Sequence, residues 1–230
     1  MKASRGNHGG KEKLLIRRHS SLGDDVYEAI LGLLLRLNIA PGSRVAVDAL
    51  VKKLGVSQTP IRQALARLES EGLVQKIHLL GYSATPLLKH KQFEELFSVR
   101  LLLEPYLAGL AASYINEREI ALLEAIADEM THYRPRDIRS DYGLFAKKDS
   151  QFHAKIASIS RHQLAQDTLN RLHVHLHLFR LVFHPSVTSE AIDEHAAILA
   201  ALKSKDSHAA ESAMRNHLEQ AKKRFSLAVK

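Results

Sequence analysis

From Phe93 onward, apolar residues recur every three or four positions almost to the end of the chain. That period marks helices with one buried face. Segments near 93–115, 117–132, 140–158, 162–183, 189–203 and 207–226 each carry it, with breaks at Asn116, Pro135, Ser160, Pro185 and Lys205-Asp206. Consecutive helices with no strand-like alternation between them can bury their apolar faces only against one another. This part of the chain is therefore expected to be an all-helical bundle. No internal repeat divides it.

The first 86 residues follow another pattern. Residues 1–21 are rich in Gly, Lys and Arg without periodicity and predict a disordered basic arm. Asp24 or Asp25 can cap a helix running to about Asn38, with Val26, Ile30, Leu33, Leu34 and Leu37 on one stripe. Pro41-Gly42 is a turn, and a short helix from Asp48 to Leu54 ends at Gly55. Ser57 or Thr59 can then cap a further helix, with Pro60 tolerated in its first turn and Ile61, Leu65 and Leu68 on its buried face. Val74–Ile77 and Tyr82–Thr85 read as two short strands joined through Gly81. The resulting division is an arm over 1–21, a winged helix-turn-helix over 22–86, a linker over 87–92 and the bundle over 93–226. The fold class expected is mainly α.

Charge is distributed along the same division. Residues 1–86 carry 13 basic and 7 acidic side chains, net +6; the remainder carries 20 and 18, net +2. A basic N-terminal part suits a polyanion. In a helix-turn-helix the second helix enters the major groove and its first turn meets base edges. Here that turn offers Ser57, Gln58, Thr59 and Arg62, with Arg67 further along. Gln can bond adenine and Arg guanine in bidentate fashion, while Ser and Thr hydroxyls suit phosphate or base. On spacing alone, Ser57 and Thr59 acting as caps and Arg62 as a solvated charge is the other reading.

The chain has no Cys, which removes disulfides, thiolate catalysis and Cys-type zinc sites. It has 14 His, of which 11 lie beyond residue 86. Asp149 and His153 stand at i and i+4 on one helix, sharing a stripe with Phe145, Phe152 and Ile156. His195 and His217 lie on the apolar stripes of two further helices. All four point toward one core, where an unpaired carboxylate would be costly. A divalent metal is one solution and a buried Asp–His hydrogen-bond network is another. No apolar run approaches the 18 residues of a membrane span. Met1–Ser21 lacks the apolar centre of a secretory signal, so a soluble, cytoplasmic protein is expected.

The stretches Pro41-Gly42, Leu54-Gly55-Val56-Ser57-Gln58-Thr59-Pro60-Ile61-Arg62-Gln63-Ala64-Leu65 and Leu68-Glu69-Ser70-Glu71-Gly72-Leu73-Val74 resemble the DNA-binding domain of GntR-family bacterial transcription regulators. In that family Arg is usual where this chain has Gln58. The resemblance places Thr59 and Arg62 at DNA-contacting positions, and His78 at a wing-tip position that reaches the minor groove in some members. The second part is similar to the FCD domain of FadR-like members of the family. Val99-Arg100-Leu101-Leu102-Leu103-Glu104 matches its Arg-x-x-x-Glu opening, and Asp149-x-x-x-His153, His195 and His217 match its metal set.

What the resemblance implies is a homodimeric repressor that reads an inverted repeat in double-stranded DNA. A divalent ion, with zinc first and nickel or manganese as alternatives, would hold a small carboxylate effector. Arg100 is then a candidate partner for that carboxylate, or else an ion-pair partner of Glu104 one turn along. His173, His177 and Arg180 recur at i, i+4 and i+7 and can line the same cavity or form a solvated face. No enzyme activity is expected. The competing classes are a metal-dependent hydrolase fused to a DNA reader and a DNA-binding dimer with no effector.

Overall fold

The computed structural model describes residues 21–131, 138–181 and 185–229; for 138–144 and 185–187 only the backbone is described. The basic arm apart from Ser21, and His132 and His184, lie outside this range. The N-terminal part comprises α1 (Leu22–Leu35), β1 (Arg44–Val45), α2 (Val47–Leu54), α3 (Gln58–Ser70), β2 (Val74–Ile77) and β3 (Gly81–Ala84). Seven helices follow: α4 (His90–Tyr114), α5 (Glu117–Thr131), α6 (Ile138–Ile159), α7 (Gln163–Leu172), α8 (Val174–Leu178), α9 (Pro185–Lys203) and α10 (Ser207–Ser226). The architecture is mostly helical, a helix-turn-helix with wing strands followed by a helical domain.

α1 begins earlier than its acidic residues indicate. Ser21 is the cap: its Oγ accepts from the Asp24 N–H at 3.2 Å, and the Asp24 carboxylate accepts from the Ser21 N–H at 3.4 Å. Asp24 and Asp25 instead occupy the first turn, where the helix dipole favours negative charge. The helix ends at Leu35, three residues short of Asn38, because Leu37 adopts a left-handed conformation with φ 55°. Gly55 (φ 67°) turns the chain from α2 to α3 and donates its N–H to the Val51 carbonyl at 3.0 Å. Ile30 and Leu34 of α1 meet Ile61, Leu65 and Leu68 of α3, all fully buried, in a core that also takes Leu73 and Val74.

The wing pairs β2 with β3 antiparallel, Ile77 opposite Gly81. β1 adds a third strand on the far side of β3, with Arg44 opposite Ser83. Two residues are too few to show a period of two, so no alternation marks β1 in the sequence.

α4 is 25 residues long, and by length and composition it could cross a membrane. Arg100 and Glu104 interrupt its apolar sequence, so no unbroken apolar run marks it. Half of its apolar window is buried within the protein, where Phe93, Phe97, Ala108, Ala111 and Ala112 join the main core. Gly109 lets α10 approach closely: a Cβ there would sit 3.2 Å from the Ser207 carbonyl oxygen. The segment expected as one helix over 162–183 is two. His173 takes φ 43°, ψ 38° between α7 and α8, and apolar spacing carries no trace of that turn. The turn at His173 falls at the start of the expected face of His173, His177 and Arg180, although the His177 N–H still bonds the His173 carbonyl at 3.3 Å.

Candidate functional site

α6 presents Asp149 and His153 one turn apart, α9 presents His195 and α10 presents His217. One ligand atom from each lies within 4.8 Å of the others, and all four side chains are buried. His195 Nε2 is 3.2 Å from Asp149 Oδ1, and His153 Nε2 is 3.9 Å from the same oxygen. Among the described residues, His153 Nε2 and both ring nitrogens of His195 are buried without a hydrogen bond, the approach of His195 Nε2 to Asp149 being an ion-pair contact only. Native interiors rarely tolerate such orphaned atoms. Three imidazoles and a carboxylate are a donor set suited to zinc, nickel or manganese, and the unpartnered nitrogens fit a cation among them.

Electrostatics favour the ligand-competent protonation states. Burial holds the His153 pKa down to about 4 against the opposing pull of Glu104. Burial also holds that of His217 down to about 3, with His195 and His153 adding to the effect and Glu194 opposing it. Both imidazoles are thus neutral near neutral pH. Burial alone would raise the Asp149 pKa, but His175, His195 and His153 together bring it well below the usual value.

Four further residues surround the cluster that the sequence did not single out as supports. Glu104 Oε2 contacts His153 Nδ1 at 2.6 Å, and Glu194 Oε2 contacts His217 Nδ1 at 2.8 Å. His175 Nδ1 lies 2.5 Å from Asp149 Oδ2. Arg224 binds both oxygens of Glu194, at 2.5 and 2.8 Å. The Arg-x-x-x-Glu spacing offered a signal for Glu104, but none existed for His175, whose position depends on the turn at His173.

The residues expected at the effector are dispersed. Arg100 is almost fully buried and bonds Glu104 at 2.5 and 3.3 Å, so the ion-pair alternative is the one observed. Two spaces border the cluster. A cleft of about 480 Å³ between α5 and α9 is lined by Met130, Ile192, Ala196 and Leu199, with His195 in its wall. A second space of about 80 Å³ is lined by Ser150, His153, Asn170, His173 and His175. His173 is the one expected effector residue that lines this second space; Arg100, His177 and Arg180 line neither.

His177 and Arg180 meet the N-terminal domain instead. Arg180 donates to Thr85 Oγ1 at 2.9 Å and to the Thr85 carbonyl at 2.6 Å. Gly72 (φ 72°) faces His177, and a Cβ there would lie 3.3 Å from its Nε2. Leu176 packs on the N-terminal core, and Lys147 pairs with Glu28 of α1.

Around the start of α3, Ser57, Gln58, Thr59 and Arg62, the residues expected at DNA, are all exposed. Ser57 occupies the cap position without a side-chain cap bond. Gln58 donates to Asp48 Oδ1 at 2.9 Å and accepts from Arg62 at 3.2 Å, which holds both side chains over the first turn of α3. His78 is exposed in the wing turn. Arg67 is placed differently. Its guanidinium lies 3.7 Å from the Tyr27 ring centroid and pairs with Asp24 at 3.5 Å and Glu71 at 3.4 Å, tying α3 to α1.

Comparison with known proteins matches residues 22–81 to the bacterial regulatory proteins of the gntR family and residues 95–220 to the FCD domain. The chain belongs to the GntR family. It is 27% identical to the transcriptional repressor RspR of Escherichia coli, over 86% of each chain. It is 25% identical to the regulator YdhC of Bacillus subtilis, over 83% of this chain and 85% of that one. Among solved structures it resembles E. coli McbR/YncC with a TM-score of 0.69 and 22% identity, covering 91% of this chain and 99% of that one. The GntR helix-turn-helix implies DNA binding, and the FCD domain is the effector-binding part.

The interdomain contact of this GntR-family regulator is expected to respond to pH. Burial, then the neighbouring Arg180 and His173, lower the His177 pKa to about 4. In the unfolded chain the value is near 6.5. His177 thus contributes stability in full above pH 6.5, and that contribution is lost as pH falls from 6.5 toward 4. Denaturant titrations at pH 7 and pH 5 should show wild type losing more stability than His177→Gln. Equal losses would assign the acid sensitivity elsewhere.

Proposed function

We propose that this regulator is a cytoplasmic, homodimeric repressor whose operator binding is controlled by a small carboxylate held at a divalent metal, most simply zinc. The observation that carries the reading is the buried cluster of Asp149, His153, His195 and His217, with three imidazole nitrogens that make no hydrogen bond among the described residues. A bound ion would offer open coordination positions to a carboxylate oxygen. Ser150, Asn170 and His173 in the adjoining polar space would bond the rest of the acid, and the apolar cleft beside His195 would take a hydrocarbon portion. Residues 22–86 would be the DNA reader and 93–226 the effector and dimerisation unit; of the expected linker over 87–92, His90, Lys91 and Gln92 already belong to α4. Two-fold symmetry of a homodimer calls for an inverted-repeat operator. Repression is supported by the similarity to RspR.

α8 links the two parts. His175 contacts Asp149 at the cluster, Leu176 and His177 touch the N-terminal domain, and Arg180 just beyond the helix bonds Thr85. A ligand that shifts α8 would bias the DNA domain by its differential affinity for the two placements and by no more. The test is fluorescence anisotropy of an operator duplex with metal-loaded and chelator-stripped protein, across a series of small acids. A shift in affinity that needs both metal and acid supports the reading; an affinity indifferent to both removes it. Arg180→Ala should bind metal normally yet lose most of the acid-induced change, typically 5- to 150-fold in such systems. An unchanged shift would take Arg180 out of the route.

A further inference from the structure

We propose that two side-chain sets, the buried Arg100–Glu104–His153 and the partly buried Arg224–Glu194–His217, fix the tautomer of two of the cluster's imidazoles, making Glu104 and Glu194 positioning residues for the bound cation. The inference rests on the metal-binding reading above. A carboxylate can only accept a hydrogen bond, and a neutral imidazole carries a single N–H. The contacts of 2.6 Å at His153 and 2.8 Å at His217 therefore place that proton on Nδ1 in both rings. The lone pair is then on Nε2, the nitrogen available to the cluster.

Each glutamate is fixed in turn by a guanidinium. Arg100 reaches Glu104 at 2.5 and 3.3 Å, and Arg224 reaches Glu194 at 2.5 and 2.8 Å. Two-point pairing sets the carboxylate plane, and arginine keeps its charge at any working pH. Burying such a pair brings little net stability, since desolvation offsets the attraction. Orienting the imidazoles gives these two pairs a role that stability alone does not. The first set crosses from α4 to α6, and the second from α10 to Glu194 of α9 and back to α10. His195 differs: no carboxylate outside the cluster bonds either ring nitrogen among the described residues, its Nε2 facing only Asp149 Oδ1 at 3.2 Å, and it rests against Phe152 with ring centroids 4.7 Å apart. Its tautomer is not set from outside.

The experiment uses the full chain with uniformly ¹⁵N-labelled histidine. In metal-free wild type at neutral pH, long-range ¹⁵N–¹H correlation should show His153 and His217 as Nδ1–H tautomers. An Nε2–H form at either ring overturns the proposal for that set without any variant. Glu104→Gln and Glu194→Gln keep shape but can donate as well as accept, so Nε2–H should appear at the ring concerned. Zinc affinity, measured by chelator competition, should fall about 10- to 100-fold in each variant, the usual effect of removing an outer partner. Affinity within twofold of wild type in both variants overturns the proposal. A wild type that binds no zinc refutes the metal reading instead, while the tautomer measurement still decides whether the sets act as described.

Discussion

His217→Ala should abolish stoichiometric metal binding. The substitution removes one of three imidazoles from a buried set whose remaining members are Asp149, His153 and His195. Losing an outer-sphere partner costs about 10- to 100-fold in affinity, so losing a direct ligand should exceed 100-fold. Folding stability provides a second readout. Wild type should gain about 4 kcal/mol when free metal stands at 1,000 times Kd, because the ion binds only the folded chain. The variant should gain essentially nothing under the same conditions. Elemental analysis and thermal unfolding with and without added zinc measure both effects. Full occupancy and an unchanged thermal shift in His217→Ala would remove this residue from the site.

Arg62→Ala should abolish operator preference while leaving the fold intact. Arg62 is exposed on the first turn of α3 and bonds the side chain of Gln58, so its removal opens no cavity. A bidentate Arg–guanine contact discriminates by about 1–3 kcal/mol. Present in both half-sites of a dimer, its loss should weaken operator binding by about 30-fold or more. Binding to unrelated DNA should persist with its steep salt dependence, since phosphate contacts elsewhere supply it. Arg67→Ala is the useful contrast. Arg67 covers the Tyr27 ring and pairs with Asp24 and Glu71, so its truncation should lower stability and leave preference largely unchanged. A mobility-shift series with operator and scrambled duplexes distinguishes the two. Near-wild-type discrimination by Arg62→Ala would displace α3's first turn as the reading element.

The sequence exposed what depends on periodicity. Asp149, His153, His195 and His217 each sit on an apolar stripe, and three separate stripes bearing polar groups must converge wherever three helices share a core. The structure brings these four together. The turn signals at Gly55 and Gly81 were equally visible, because a left-handed residue there needs glycine. What stayed hidden depends on non-glycine residues held in that same conformation, or on partners distant in sequence. Leu37 ends α1 early, and His173 separates α7 from α8, both with positive φ and neither with a compositional mark. The second of these redirects a whole segment. His175 turns toward Asp149, whereas Arg180 leaves the cavity for Thr85 in the other domain. Arg100 shows a further limit. Its i, i+4 spacing to Glu104 was plain, but which of two acids it would bind could be decided only when His153, 49 residues on, was seen to hold that same glutamate.

A divalent ion in the cluster between α6, α9 and α10 would be seen directly by anomalous diffraction at the absorption edge of the metal found in the purified full-length protein, combined with elemental analysis. The expected result is one ion per chain, coordinated by Asp149, His153, His195 and His217. Protein supplied with zinc, nickel and manganese that crystallises with ordered side chains and no anomalous peak at these residues would contradict it.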